Sequence, residues 1–187
     1  MDSEYSNIST TTESILENYM LDDFQNINIQ DIISYISYYF QNLINENHKN
    51  KIKKKEKKID EFYSRKIPLL TIEKYLNRII KYTQMENSTL ILSFIYILHI
   101  LEKENYYICK NNIYRIILSS CLIANKYNDE FHFKNSYFSK IGGLNLNEMN
   151  YLEYSFLNKM NFELYINEGE FYFILEKIIR SVKERNY

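Results

Sequence analysis

One proline and three glycines are all that punctuate this chain of 187 residues. Proline and glycine end helices and shape hairpin turns, so a chain almost without them has few places to reverse except between helices. Apolar residues recurring three and four positions apart give the same answer, because that spacing lines one face of a 3.6-residue turn. The fold class read from this pattern is all-α. Hydrophobic residues make up 45% of the chain, which is enough for a sizeable core. Tyr, Ile, Asn and Lys dominate the choices, so single Asn and Tyr residues carry little signal.

Charge and cysteine usage narrow the class. The net charge of −1 argues against nucleic acid as a whole-surface partner. Cys109 and Cys121 lie in apolar helical sequence and give no disulfide framework, as in a reducing compartment. The acidic, polar start MDSEYSNISTTTES is not a signal peptide. The longest apolar run, Leu90 to Leu101, contains Ser93 and His99 and is short of the roughly 20 residues a bilayer needs. The expectation is a soluble protein of the cytoplasm or nucleus with no membrane association.

Along the chain, residues 1–28 read as a disordered or weakly helical segment, with a weak helix over Glu13–Phe24. Residues 29–66 read as a helix plus a connection. The helix, about Gln30–Asn45, places Ile29, Ile32, Ile33, Ile36, Phe40 and Leu43 on one stripe. The connection includes KNKIKKKEKK, residues 49–58. Like charges repel, so this run is a solvated link, or else a targeting or anionic-partner patch. From residue 67 to 187 the pattern gives helices over about Thr71–Thr83, Thr89–Lys103 (with Ser88 as cap), Asn112–Asn128, Lys134–Ile141, Leu146–Met160 and Glu168–Lys183.

The helix at Asn112–Asn128 has apolar residues around nearly its whole circumference, which marks it as the central one. Its exception is the stripe Arg115, Ser119, Leu122 and Lys126, which is either a solvated edge or a seam against another protein. Further on, Gly142 and Gly143 allow a positive-φ turn into a capping box, in which Asn145 caps the helix and Glu148 reaches back. Within that helix Glu153 projects into the apolar sector of Met149, Leu152, Phe156, Leu157 and Met160. An ionised carboxylate there costs several kcal/mol on the order of a buried charge. Either it sits at the rim, or something supplies hydrogen-bond donors.

The segments IPLLTIEKYLNRIIKYTQ, LILSFIYILHIL and NIYRIILSSCLIANKYNDEFHFKNSYFSKIGGLNLNEMNYLEYSFLNKMNFEL together resemble a cyclin box. The likeness is to P-type and U-type cyclins, the group that includes the yeast phosphate-signalling cyclins, and it runs over about residues 62–175. Tyr75, Leu76, Arg78, Ile79, Lys81 and Tyr82 match its first helix, and Asn112, Arg115, Ala124 and Lys126 its third. Asn135, Tyr137, Phe138, Lys140, Gly142 and Gly143 match its glycine turn, with one aromatic exchanged. Glu148, Asn150, Leu152, Glu153, Phe156 and Leu157 match its fifth helix. The resemblance implies one five-helix box around a central third helix, preceded by an amphipathic helix and followed by a C-terminal one. Arg78, Arg115, Gly142, Gly143, Asn145 and Glu148 are then its structural residues.

It further implies a regulatory subunit that binds and activates a cyclin-dependent serine/threonine kinase by holding the kinase's αC helix inward. In the family a third-helix lysine and a fifth-helix glutamate grip that helix. Here they are Lys126 and Glu153, with Leu122, Phe156 and Leu157 as apolar neighbours. Read without a partner, Lys126 and Glu153 pair with each other. A transcription or nucleic-acid adaptor of the same fold, and a scaffold that binds a kinase without activating it, are the other roles such a box fills. The sequence also departs from the pattern. Leu98 stands where cyclins carry an aspartate that pairs with the first-helix arginine, so Arg78 must find another acceptor or reach solvent. His99 follows it as a packing residue. Asn77 and Lys81 replace apolar anchors of the MRAIL substrate-docking patch. The chain is too short for a second box. No metal-ligand spacing, phosphate loop or nucleophile motif is present, so no catalysis, cofactor or small-molecule substrate is expected.

Overall fold

The structure is a computed structural model and describes residues 27–49, 60–104 and 106–185. Among these residues it is built of helices alone: α1 (Ile29–Lys49), α2 (Ile72–Thr83), α3 (Asn87–Glu104), α4 (Ile113–Asn128), α5 (Asn135–Gly142), α6 (Leu146–Lys159) and α7 (Glu168–Arg185). The weak helix expected at Glu13–Phe24 and most of the lysine run lie outside the described residues. No described helix is long and apolar enough to cross a membrane.

The central position of α4 follows from its composition. It packs against α2, α3, α5 and α6, and every residue from Ile116 to Asn125 is buried. A helix touched on all sides has no room for a polar face except at its ends, and its cations, Arg115 and Lys126, stand near those ends. α3 is the other apolar helix and shares the most extensive contact with α4. The small Ser93 and Ser120 meet at that seam, the Ser120 hydroxyl donating to the Ser93 carbonyl.

α1 covers the bundle through Ile32, Ile33, Ile36, Phe40 and Ile44. Phe40 and Tyr39 meet Phe94 of α3 edge to face, at centroid distances of 5.6 and 5.2 Å. α7 packs on α1 and α3. His99 is engaged there, paired with Glu170 across the α3–α7 contact.

The connection before α2 is pinned rather than loose. Phe62 is fully buried, its ring edge-on to Phe156 at 6.1 Å. Asn111 and Ser64 exchange hydrogen bonds, Ser64 N–H to the Asn111 carbonyl at 2.7 Å and Asn111 Nδ2 to the Ser64 carbonyl at 2.8 Å. α3 begins at Asn87, one residue before the expected Ser88 cap, so Ser88 lies inside the first turn.

The two glycines divide their work. Gly143 has φ +69° and ends α5 in the left-handed conformation. Leu144 N–H returns to the Ser139 carbonyl at 2.8 Å and Gly143 N–H to the Lys140 carbonyl at 3.4 Å, the double bond pattern of a Schellman end. Gly142 is still helical and does not take the positive φ that the sequence suggested for the pair. It is small because α5 approaches α4 there: a Cβ would stand 2.2 Å from Leu118 Cδ2.

Candidate functional site: a charged pair on the rim of the bundle

The C-terminal end of α4 is fixed by side chains that satisfy one another. Asn125, fully buried, donates from Nδ2 to Asp129 at 2.5 Å and accepts the Phe133 N–H at 3.0 Å. Asp129 also accepts from the Thr89 hydroxyl at the start of α3. This network sets the direction in which the next residue, Lys126, leaves the helix. On the neighbouring α6, the Asn145 side chain caps the N-terminus by accepting the Glu148 N–H at 2.8 Å. That fixes the register of Glu153 one face along.

Lys126 Nζ and Glu153 Oε1 are 2.6 Å apart. The second oxygen of Glu153 accepts from Asn135 Nδ2 at 2.6 Å, and Asn135 also donates to Asn150 Oδ1 at 2.7 Å. The side chains of Lys126 and Glu153 are 34% and 17% exposed, so the carboxylate is at the rim of the core with donors supplied from two neighbouring helices. Both readings of Glu153 from sequence therefore apply together. With its lysine end solvated, the pair is worth only about 1 kcal/mol as a structural brace. Its value is as charge held at a known place on the surface. Asn135 Oδ1 is buried and has no partner among the described residues.

Three exposed aromatic residues that sequence reasoning missed stand next to these elements in the chain. Tyr127, Tyr154 and Phe162 are each more than half exposed. They follow Lys126, follow Glu153, and lie just past the end of α6. Tyr154 and Phe162 meet edge to face with centroids 6.5 Å apart. Phe162 reaches that place through an unfavourable backbone: Asn161 and Phe162 have φ +55° and +60°. A left-handed bulky residue costs on the order of 1–2 kcal/mol, and the turn that ends α6 holds it there, the Glu163 N–H returning to the Met160 carbonyl at 3.1 Å. Single Tyr and Phe residues carry no signal in so aromatic a sequence, so only their exposure in the structure picks them out.

The other expected residues fall in two places. Leu157 is half-buried, its carbonyl accepting the Phe162 N–H at 2.9 Å. Leu122 and Phe156 are 0% exposed, which corrects the expectation that they touch a partner. Helical projection put them in the right sector, but Leu122 is enclosed by the helices around α4, and Phe156 packs under Phe62. Arg115 and Glu148 come together, which the sequence did not suggest. The Glu148 carboxylate turns to the Arg115 guanidinium instead of reaching back to its cap. Arg115 also donates to the Tyr63 carbonyl at 2.9 Å, so the pair ties α4, α6 and the connection. Arg78 is exposed on α2 and reaches solvent, which answers the absence of an acidic partner at Leu98.

The structure is thus a helical bundle around a central apolar helix, with a charged pair held between the end of that helix and the neighbouring α6. Comparison with known proteins gives the family. The cyclin family profile matches residues 6–164, and the chain belongs to that family. It is similar to Cyclin-U2-1 of Arabidopsis thaliana, 37% identical over 111 residues that cover 59% of this chain and 50% of the relative. It is 27% identical to Cyclin-U4-1 of the same plant over 142 residues, 75% of this chain and 70% of that one. With Cyclin-P3-1 of Oryza sativa subsp. japonica the identity is 30% over 106 residues, 57% of this chain and 45% of that one. The match thus spans about half the length of the U2-type and P3-type relatives. These are U-type and P-type cyclins, the group whose motifs the sequence carries, and membership supports a regulatory rather than a catalytic role.

Proposed function

We propose that this chain is the regulatory subunit of a cyclin-dependent serine/threonine kinase, which it binds and activates by holding the kinase αC helix inward. Protein kinases are active only when a glutamate of αC pairs with the strand-three lysine. A partner that binds the inward position better than the outward one shifts the population by that difference. Moving from 1:99 to 99:1 takes about 5.5 kcal/mol. The observation that carries the reading is the Lys126–Glu153 pair, two opposite charges at 2.6 Å on adjacent helices, the lysine a third exposed and the carboxylate mostly covered.

In the complex, Lys126 donates to backbone carbonyls of the kinase and Glu153 accepts from its N–H groups, each exchanging the other for a partner group. Asn135 keeps Glu153 from swinging away during that exchange. Tyr127, Tyr154, Leu157 and Phe162 bury apolar surface around the charges and exclude water, which raises the value of the central contacts. The subunit acts where its kinase does, in the cytoplasm or nucleus.

The test is reconstitution. The kinase that co-purifies with the chain is expected to phosphorylate a model peptide faster with the chain present than without it. Binding with no rise in activity would make the chain a scaffold. Tight duplex DNA binding with a steep salt dependence, and no kinase captured, would make it a nucleic-acid adaptor.

A further inference from the structure

The kinase-facing reading uses the C-terminal end of α4 and leaves the other end unexplained. From Arg115 to Lys126 is 11 residues, about 16 Å of helix at ~1.5 Å per residue. At the Arg115 end two clefts adjoin, one of about 520 Å³ and one of about 450 Å³, and Ile67 and Asn111 line both. Because they meet at Ile67 and Asn111, we read them as two halves of a groove between the 63–68 connection, the end of α1 and the start of α4.

Its charge is one-sided. Arg65, Lys66 and Arg115 line one half, and Lys49 and Lys110 the other. The only carboxylate among the lining residues is Glu148, which is already bound to Arg115. Lys49, Arg65, Lys66 and Lys110 are exposed and form no ion pair among the described residues. In a chain of net charge −1 this is a local concentration rather than a general basicity. The lysine run of the sequence begins at Lys49, one of the groove's own cations.

The walls are preformed. The reciprocal Ser64–Asn111 hydrogen bonds and the Arg115 bond to the Tyr63 carbonyl hold the connection against α4, so little ordering is needed on binding. The apolar surface offered is aliphatic: Ile67 is 41% exposed. Of its tyrosines Tyr75 is buried and Tyr63, Tyr107 and Tyr114 are half-buried, with Tyr114 donating to the Leu70 carbonyl at 2.5 Å and Tyr107 to the Asn47 carbonyl at 3.3 Å. Single-stranded nucleic acid needs exposed aromatic faces to stack on, and duplex DNA needs a broad basic face. Neither is offered. A peptide with carboxylates around one aliphatic side chain matches what is.

We propose that this groove docks an acidic segment of a partner protein, its carboxylates on Lys49, Lys66 and Lys110 and an aliphatic side chain on Ile67. The site stands apart from the Lys126–Glu153 rim and does not depend on the kinase reading.

The experiment measures fluorescence anisotropy of a short Asp/Glu peptide with a central leucine, titrated with the full chain. Saturable binding that weakens with salt is expected. The triple substitution Lys49→Glu, Lys66→Glu and Lys110→Glu weakens it about 10-fold or more, with the circular dichroism spectrum unchanged. Ile67→Ser lowers affinity for this peptide to that of a leucine-free version, a loss of about 3- to 10-fold. Absence of binding overturns the proposal. So does binding that survives the triple substitution, which assigns it to the remaining lysines of the run, and so does tighter binding of oligothymidine of equal charge.

Discussion

Replacing Gly142 by alanine isolates the close approach of α5 to α4. The added Cβ would lie 2.2 Å from Leu118 Cδ2 and 3.4 Å from Cδ1 and Cγ. Carbon atoms prefer about 3.5–4.0 Å, so the overlap exceeds an ångström, and Leu118 is fully buried with no solvent to turn into. Alanine at a helical position gains about 1 kcal/mol of propensity, while overpacking a filled core costs about 1–3 kcal/mol. The expected balance is a loss of about 1 kcal/mol, or roughly 2–4 °C in Tm for a chain this long. Gly143→Ala loses a similar ~1 kcal/mol for a different reason, since its φ is +69° and no atom stands within 4 Å of its Cβ. The two are separated by Leu118→Ala, which alone costs about 2–5 kcal/mol. Combined with Gly142→Ala it should show a favourable coupling of about 1–2 kcal/mol, because the new methyl fills part of the space it vacates. Combined with Gly143→Ala it should be additive. Urea unfolding followed by circular dichroism measures all of these. Additivity in both pairs would refute the idea that helix approach is what demands glycine at 142. The site is sensitive to this spacing because α5 begins with Asn135, the residue that holds Glu153.

Phe162→Gly should separate stability from binding: it relieves a left-handed residue at φ +60°, raising stability by about 1 kcal/mol, while removing an exposed ring from the proposed kinase contact. Urea melts and kinase capture check the two halves. Asn145→Ala should cost about 1 kcal/mol, read from the same melts, because the Glu148 N–H loses its cap acceptor. Arg115→Met and Glu148→Gln should each destabilise by about 1–3 kcal/mol, with the double variant less than the sum, since each single change strands a half-buried partner. Burial pushes the Cys121 thiol up to about 12. At pH 8 a thiol-specific reagent should therefore titrate only Cys109 in the folded chain and both cysteines after denaturation.

The helices and the identity of the core were legible because they depend on periodicity alone. Ile72, Leu76 and Ile79 repeat at helical spacing, and the nearly all-apolar circumference of α4 marks a central helix. Glu153 stood out for the opposite reason, as a charge where the pattern wants a hydrophobe, and Lys126 as the end of the one polar stripe on α4; the resemblance joined them. Periodicity gives the angle of a side chain around its own helix but not the depth of what covers it. Leu122 and Phe156 were placed in the right sector and yet lie beneath the surface. Arg115 and Glu148, 33 residues apart, come together through the packing of α6 on α4, which no local pattern encodes. Phe162 was invisible because nothing in its neighbours requires a positive φ. The tertiary turn after α6 imposes it.

The central claim is best tested by titration calorimetry of the chain against the cyclin-dependent kinase that co-purifies with it. Lys126→Ala and Glu153→Ala are each expected to weaken binding by about 30-fold or more, as truncation of a central charged contact does, with helical content unchanged. If both variants bind as tightly as the original chain, the pair is only a surface brace between α4 and α6, and the kinase contact lies elsewhere.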